Sequence, residues 1–393
     1  MERAANRMTA AVALMAVFGL GIAFVIVGAI SVEYAKALQI ANIGDLTLAL
    51  FLTSAIVQLV IGPLVDRFGY RPLAIAGFLV SALSMGLLAV APGFEMALVA
   101  CILLGVGAMC MNTVGNTLIP VVLFGGADPA RASNFGNAFF GLGLVVTPLL
   151  FSVVTYKPGL YVLAAVFLAC LLVVFGTRFP RASSGYQFSM AVKLLGHPAV
   201  VVAALALFCY VSLESSMNTW SKPYMTELLG GEQNPSAVSN ATLVLSLFGV
   251  AMMVGRFLTS MVKNLTAIGV RLIAAMALVS AAAILTMVMT SSPTLAVVAV
   301  VLTGLAFAPI FPTIVGVTFA KFEPSLYGSI FGIIFAIGLL GATVVPKIIG
   351  NLSKGATIQQ SLLIVFAIAV ALFVVSLFLK SGSKTAGSAA GTR

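Results

Sequence analysis

The sequence predicts an all-α polytopic membrane protein of twelve transmembrane helices, built as two pseudo-symmetric six-helix bundles. Apolar runs of about 20 residues, the length that carries a helix across a bilayer, recur along the whole chain. Only 8% of the residues are charged while 61% are hydrophobic, and a water-exposed surface needs roughly 25% charged residues. One long polar connection, TRFPRASSGYQFSMAVKLLGHP, divides the apolar runs into six and six.

The first run, TAAVALMAVFGLGIAFVIVGAI, follows the basic start MERAANRM. It is longer than the apolar core of a secretory signal, about 7–15 residues, and reads as a retained first span at 9–32. Spans two to six fall at 46–65, 72–92, 96–123, 133–155 and 159–177. Spans seven to twelve fall at 199–222, 240–262, 268–290, 293–319, 326–350 and 359–380. A second long connection, PYMTELLGGEQNPSAVS, follows the seventh span. In the tenth, FAPIFPT brings Pro309 and Pro312 into the apolar run, and the eleventh carries Gly328, Gly332, Gly338 and Gly341. Such broken or glycine-rich helices free backbone groups near a cavity and let packed helices slide; packing alone is the alternative, and no single one of them is assigned a role. The expected organisation is a first bundle at 1–178, an inter-bundle loop at 179–198, a second bundle at 199–380 and a disordered cytoplasmic tail at 381–393.

The net charge of +10 does not mark a nucleic-acid binder, because the basic residues sit in short clusters between spans. With the N-terminus inside, five of the 20 Lys and Arg fall outside: Lys36, Lys157, Lys222, Lys347 and Lys354. The remaining fifteen lie inside, as the positive-inside rule requires, so both termini are expected in the cytoplasm of a cell that carries the chain in its cytoplasmic membrane. The four cysteines lie inside apolar runs without a CxxC spacing, and the single histidine, His197, only precedes Pro198. Neither a metal site nor a disulfide framework is indicated. There is no G-x-x-x-x-G-K-[ST] loop and no HExxH, so no nucleotide site, cofactor or enzymatic centre is expected.

The sharpest motif is GPLVDRFGYRP, Gly62 to Pro72, at the inner end of the second span. Gly62 permits close helix contact and Gly69 a sharp turn. Asp66 suits the positive N-terminal end of another helix, and Arg67 and Arg71 suit the aqueous interface, where acids of neighbouring loops could pair with them. The pattern G-x-x-x-D-R-x-G-x-R resembles the signature loop of the major facilitator superfamily, and an ordinary positive-inside loop is its plain alternative. The resemblance implies that Asp66 faces an eleventh helix starting near Tyr327 and Gly328, and that the loop takes part in conformational change. In the second half, VGRFLTSMVKN repeats Gly62 as Gly255 but puts Thr259 in place of Asp66. Arg256 lies inside the membrane edge and needs a partner or a water-filled crevice; a tie between the halves and a substrate contact are both open.

In CYVSLESSMNTW of the seventh span, Glu214 stands in an apolar run. Tyr210, Glu214, Met217, Asn218 and Ser221 share one helix face, and a polar stripe in a membrane turns toward a cavity or a partner helix. Trp220, off the stripe and near the outer end, could cap a sugar ring or anchor the interface. Glu214 is a candidate for binding substrate or a coupling ion; the alternative is a packing carboxylate held by Arg256. In the fourth and fifth spans, Asn112, Asn116, Asn134 and Asn137 recur at helical spacing. Their carboxamides suit a neutral polyhydroxylated ligand, or equally interhelical hydrogen bonding.

YVSLESSMNTW, MMVGRF and FPTI also resemble segments of the seventh, eighth and tenth helices of the fucose–proton symporter family. Asn116 and the GLG at Gly141–Gly143 sit where that family carries similar residues. Two departures stand out. Fucose permease has a membrane-embedded acid in its first helix and a glutamate in its fourth, both implicated in proton coupling. Here the first span has no acid until Glu33, and Asn112 takes the glutamate's place. The resemblance implies a monomeric secondary transporter for a small neutral polar solute, a sugar or polyol, taken up by alternating access with a proton or sodium ion. The Phe- and Met-rich interior also fits an exporter of amphipathic drugs or metabolites, and a transporter-like sensor is a third class.

Overall fold

The computed structural model describes residues 2–39, 44–180, 192–231 and 233–379. The tail at 381–393 and most of the inter-bundle loop therefore lie outside the described residues. Among the described residues twelve helices are long and apolar enough to cross a membrane. The first six spans are Glu2–Ala29, Gly44–Phe68, Tyr70–Val90, Phe94–Val122, Pro129–Val153 and Tyr156–Gly176. The next three are Pro198–Leu228, Pro235–Ser260 and Leu265–Met289. The tenth consists of two helices, Pro293–Phe307 and Ile310–Phe319, and the eleventh is Tyr327–Leu352. The twelfth begins with a single turn, Ile358–Ser361, and continues as Leu363–Ser376.

The seventh span outruns its expected end at 222 and passes through Pro223 to Leu228. The missing N–H of Pro223 costs the helix one bond, and tertiary anchors hold the extension. Tyr224, buried, donates its hydroxyl to the Met287 carbonyl at 2.8 Å, and Glu227 accepts from the Ile358 amide at 3.1 Å. The tenth span breaks where two prolines remove amide donors. In an α-helix the Ala308 carbonyl would accept from residue 312, which is proline and has no N–H. That carbonyl is left without a donor from its own helix.

The packing repeats itself six spans later. Spans one and five, two and four, three and four, and three and six pair closely; so do seven and eleven, eight and ten, nine and ten, and nine and twelve. The two sets meet along span two against eleven and span five against eight, with the second half of span ten also against five. Glycines allow the closest of these approaches: a Cβ at Gly62 would collide with the Gly328 carbonyl, and one at Gly316 with the Ala130 backbone. Large apolar side chains cover the outside, among them Val153, Leu172 and Phe378, 81%, 73% and 67% exposed. Such a coat is stable against lipid, not water.

Candidate functional site

Two clusters of polar side chains lie inside the spans. The first surrounds Arg256 of the eighth span, whose side chain is 3% exposed. Its Nη2 lies 3.4 Å from Glu214 Oε1 and donates to the Tyr210 hydroxyl at 3.2 Å. Its Nε donates to the Ala308 carbonyl at 3.3 Å, so the acceptor released by Pro312 is the one that receives the guanidinium. The Phe140 ring of the fifth span faces the same guanidinium, 5.7 Å from its centroid. A buried charge survives only when paired and hydrogen-bonded, and Arg256 meets both conditions. Glu214 is less enclosed, with 21% of its side chain exposed. One turn on, Asn218 is exposed and donates to the Glu214 backbone carbonyl at 2.9 Å.

The second cluster is a chain of carboxamides across spans two, four and five. Gln58 donates to the Thr113 hydroxyl at 3.2 Å and accepts from Asn112 at 3.3 Å. Asn116 donates to the Asn112 side-chain oxygen at 2.8 Å, and Asn137 donates to the Asn116 oxygen at 3.0 Å. All four amides are buried, and each uses its oxygen or its NH2 to satisfy the next, as buried polar groups require. Nearby, Asn134 donates to Thr313 of the tenth span at 3.0 Å, while its own side-chain oxygen has no partner. Phe140 lies one turn beyond Asn137, so the fifth span carries both the end of the amide chain and the ring that covers Arg256.

Trp220 is separate from both clusters. Its indole N–H donates to the Pro346 carbonyl at 3.1 Å, and its ring lies on Gly350 of the eleventh span. Gln58 and Phe140 are the members that sequence reasoning missed. Gln58 in TSAIVQLVIG is the one carboxamide of its span, and its partners Asn112 and Thr113 belong to another. A phenylalanine in a membrane helix carries no polar signal.

At the membrane edge, Asp66 accepts from the Gly328 amide at 2.9 Å and from the amide and hydroxyl of Ser329, both at 2.6 Å. The carboxylate thus occupies the N-terminal end of the eleventh span, where orphan amides and the helix dipole favour an anion. Gly69 takes φ +81° to turn the chain into the third span. Arg71 donates to the Phe175 carbonyl at 3.4 Å, in the last turn of the sixth span, and Arg67 lies 5.2 Å from the Phe68 ring centroid. Among the described residues neither arginine forms an ion pair, and Arg71 meets a helix C-terminus in place of an acid.

A family model described as Major Facilitator Superfamily matches residues 9–346. Among solved structures, FucP in the outward conformation superposes with a TM-score of 0.82 at 19% identity, covering 96% of this chain and 100% of that one. FucP is the E. coli fucose:proton symporter. The proton:xylose symporter XylE superposes with a TM-score of 0.75 at 14% identity, covering 96% of each chain. The human organic anion transporter MFSD10 gives 0.71 at 15%, covering 94% of this chain and 99% of that one. At these identities the likeness is one of fold. No curated protein sequence matches.

Proposed function

The chain belongs to the major facilitator superfamily and is a transporter, not an enzyme; on that premise we propose that it carries a small neutral polar solute, a sugar or polyol, by alternating access. The observation that carries the choice of solute is the pairing of Glu214 with Arg256. Among the described residues Glu214 is the one acid in the middle of a span, and it is neutralised within the protein. The other polar groups there are amides and hydroxyls. An ionic solute would meet no unpaired opposite charge, whereas hydroxyl groups find both donors and acceptors. FucP and XylE, which share this fold, are symporters of fucose and of xylose with protons, and this supports the same reading.

The first and last six spans act as two bundles that rock about a midplane site, with Asp66 holding them together on the cytoplasmic face. The coupling ion, a proton or sodium, acts at Glu214, the one acid in the middle of a span among the described residues. Both termini lie in the cytoplasm, the flux is inward, and the monomer is the working unit.

The test is uptake of labelled sugars and polyols into proteoliposomes, with and without proton or sodium gradients. Accumulation that follows one gradient supports the reading. Efflux of amphipathic cations with no sugar uptake replaces it by the exporter.

A further inference from the structure

The ninth span begins with a buried deficit. Its N-cap residue, Asn264, is in the left-handed region at φ +55° and makes no side-chain cap bond. The first amides of the helix, at Leu265 and Thr266, therefore have no local acceptor, though Leu265 is fully buried. Orphan amides at a helix start need an outside partner.

That partner comes from the first six spans. Asp128 Oδ2 accepts from the Leu265 amide at 2.8 Å, and Oδ1 accepts from the Thr266 amide at 2.9 Å and its hydroxyl at 2.6 Å. Asp128 also caps its own helix, accepting from the Arg131 amide at 3.3 Å. One turn further, Arg131 Nε donates at 2.8 Å to the carbonyl of Ser260, the last residue of the eighth span. The guanidinium is held by the Phe124 ring, 3.9 Å from its centroid. The segment DPAR thus places an anion on the positive start of one helix and a cation on the negative end of the other, which are the two favourable signs.

We propose that Asp128 and Arg131 are positioning residues that form a second closure between the two sets of spans, acting together with Asp66. The site of the internal repeat explains why a second closure is found here. Thr259 stands where Asp66 stands in the first half, and its hydroxyl only donates to its own Gly255 carbonyl at 2.7 Å. The eighth-to-ninth turn offers no carboxylate, and the fourth-to-fifth turn supplies one to it. Asp66 and Asp128 both belong to the first six spans, and both hold N-termini of the last six. A rigid separation of the halves on this face breaks both at once.

The inference rests on the alternating-access reading, and its test needs no substrate. Hydrogen exchange of the full chain in lipid nanodiscs is followed at Leu265, Thr266, Gly328 and Ser329. Asp128→Asn weakens one closure by the energy of a charge at a helix terminus, worth about a tenfold change in opening. If the two closures open as one, exchange accelerates about tenfold at all four amides, and Asp128→Glu retains most of the protection. Thr266→Val removes two bonds from the opposite side, the one its hydroxyl donates to Asp128 and the one it accepts from the Ala130 amide, and gives a change of the same pattern, should Asp128→Asn fold poorly. Faster exchange confined to Leu265 and Thr266 makes Asp128 a local helix cap and overturns the proposal, as does no change anywhere. A negative sugar-uptake assay beside coupled exchange removes the solute assignment and leaves the closure standing.

Discussion

Glu214 and Arg256 meet between the seventh and eighth spans with 3.4 Å between Oε1 and Nη2, and the same guanidinium is bound to the carbonyl at the break of the tenth span. Removing one member of a buried pair strands the other's charge, a loss of about 3 kcal/mol. Glu214→Leu should therefore lower thermal stability in detergent by that order, and Arg256→Met added to it should recover most of the loss. Two single losses that simply add would show that the pair is not energetically coupled.

If Glu214 is also the coupling residue, Glu214→Gln should abolish gradient-driven accumulation and leave counterflow intact, because binding and rocking survive the loss of titration. Weakening of both activities would assign Glu214 to solute hydrogen bonding. Full activity with lower stability would make it a packing residue.

Asp66→Asn should weaken the hold on the eleventh span by about 1 kcal/mol. Gly62→Ala should act in the same direction, since the added methyl collides with the Gly328 carbonyl. In both variants labelling of cysteines placed on the outward face should drop and labelling on the cytoplasmic face should rise. Unchanged labelling in both would remove Asp66 from the conformational equilibrium.

Gln58→Leu deprives Asn112 of its acceptor and Thr113 of its donor partner, and an unsatisfied buried group costs about 1–3 kcal/mol. The variant should melt earlier than wild type. If the amide chain also binds solute, Gln58→Leu and Asn112→Ala should raise KM together. A lower melting temperature with unchanged KM would confine the chain to packing.

Cysteines introduced at Gly231 and Lys263 should react with an impermeant maleimide from opposite sides of the membrane. Reaction of both from one side would contradict the assigned count of crossings between them.

Much of the frame was legible because the bilayer imposes it: span lengths and the six-plus-six division follow from hydropathy, and the break at Pro309 and Pro312 follows from missing amides. The neighbourhood of Asp66 was legible through its loop motif, which names the start of the eleventh span as its partner. Asp128 was not. Nothing local in GGADPARASN points to its partners at Leu265 and Thr266, which lie 137 and 138 residues away. Arg256 showed its need for a partner through its charge, but the Ala308 carbonyl and the Phe140 ring could be named only once spans eight, ten and five were in contact. Trp220 at an outer helix end was open to capping a sugar ring or anchoring the interface; its bond to the Pro346 carbonyl and its place on Gly350 of the eleventh span could not be read from the sequence.

The one-way arrangement of the two closures has a consequence for assembly. The first six spans carry both carboxylates and the last six carry both receiving helix ends, so the seam has a donor side and an acceptor side. Two copies of the first six spans would bring four carboxylates together with no helix ends to meet them, and two copies of the last six would leave buried amides unfilled. Expressed as separate polypeptides, the halves would thus discriminate self from complement, and a split transporter should reassemble as the mixed pair.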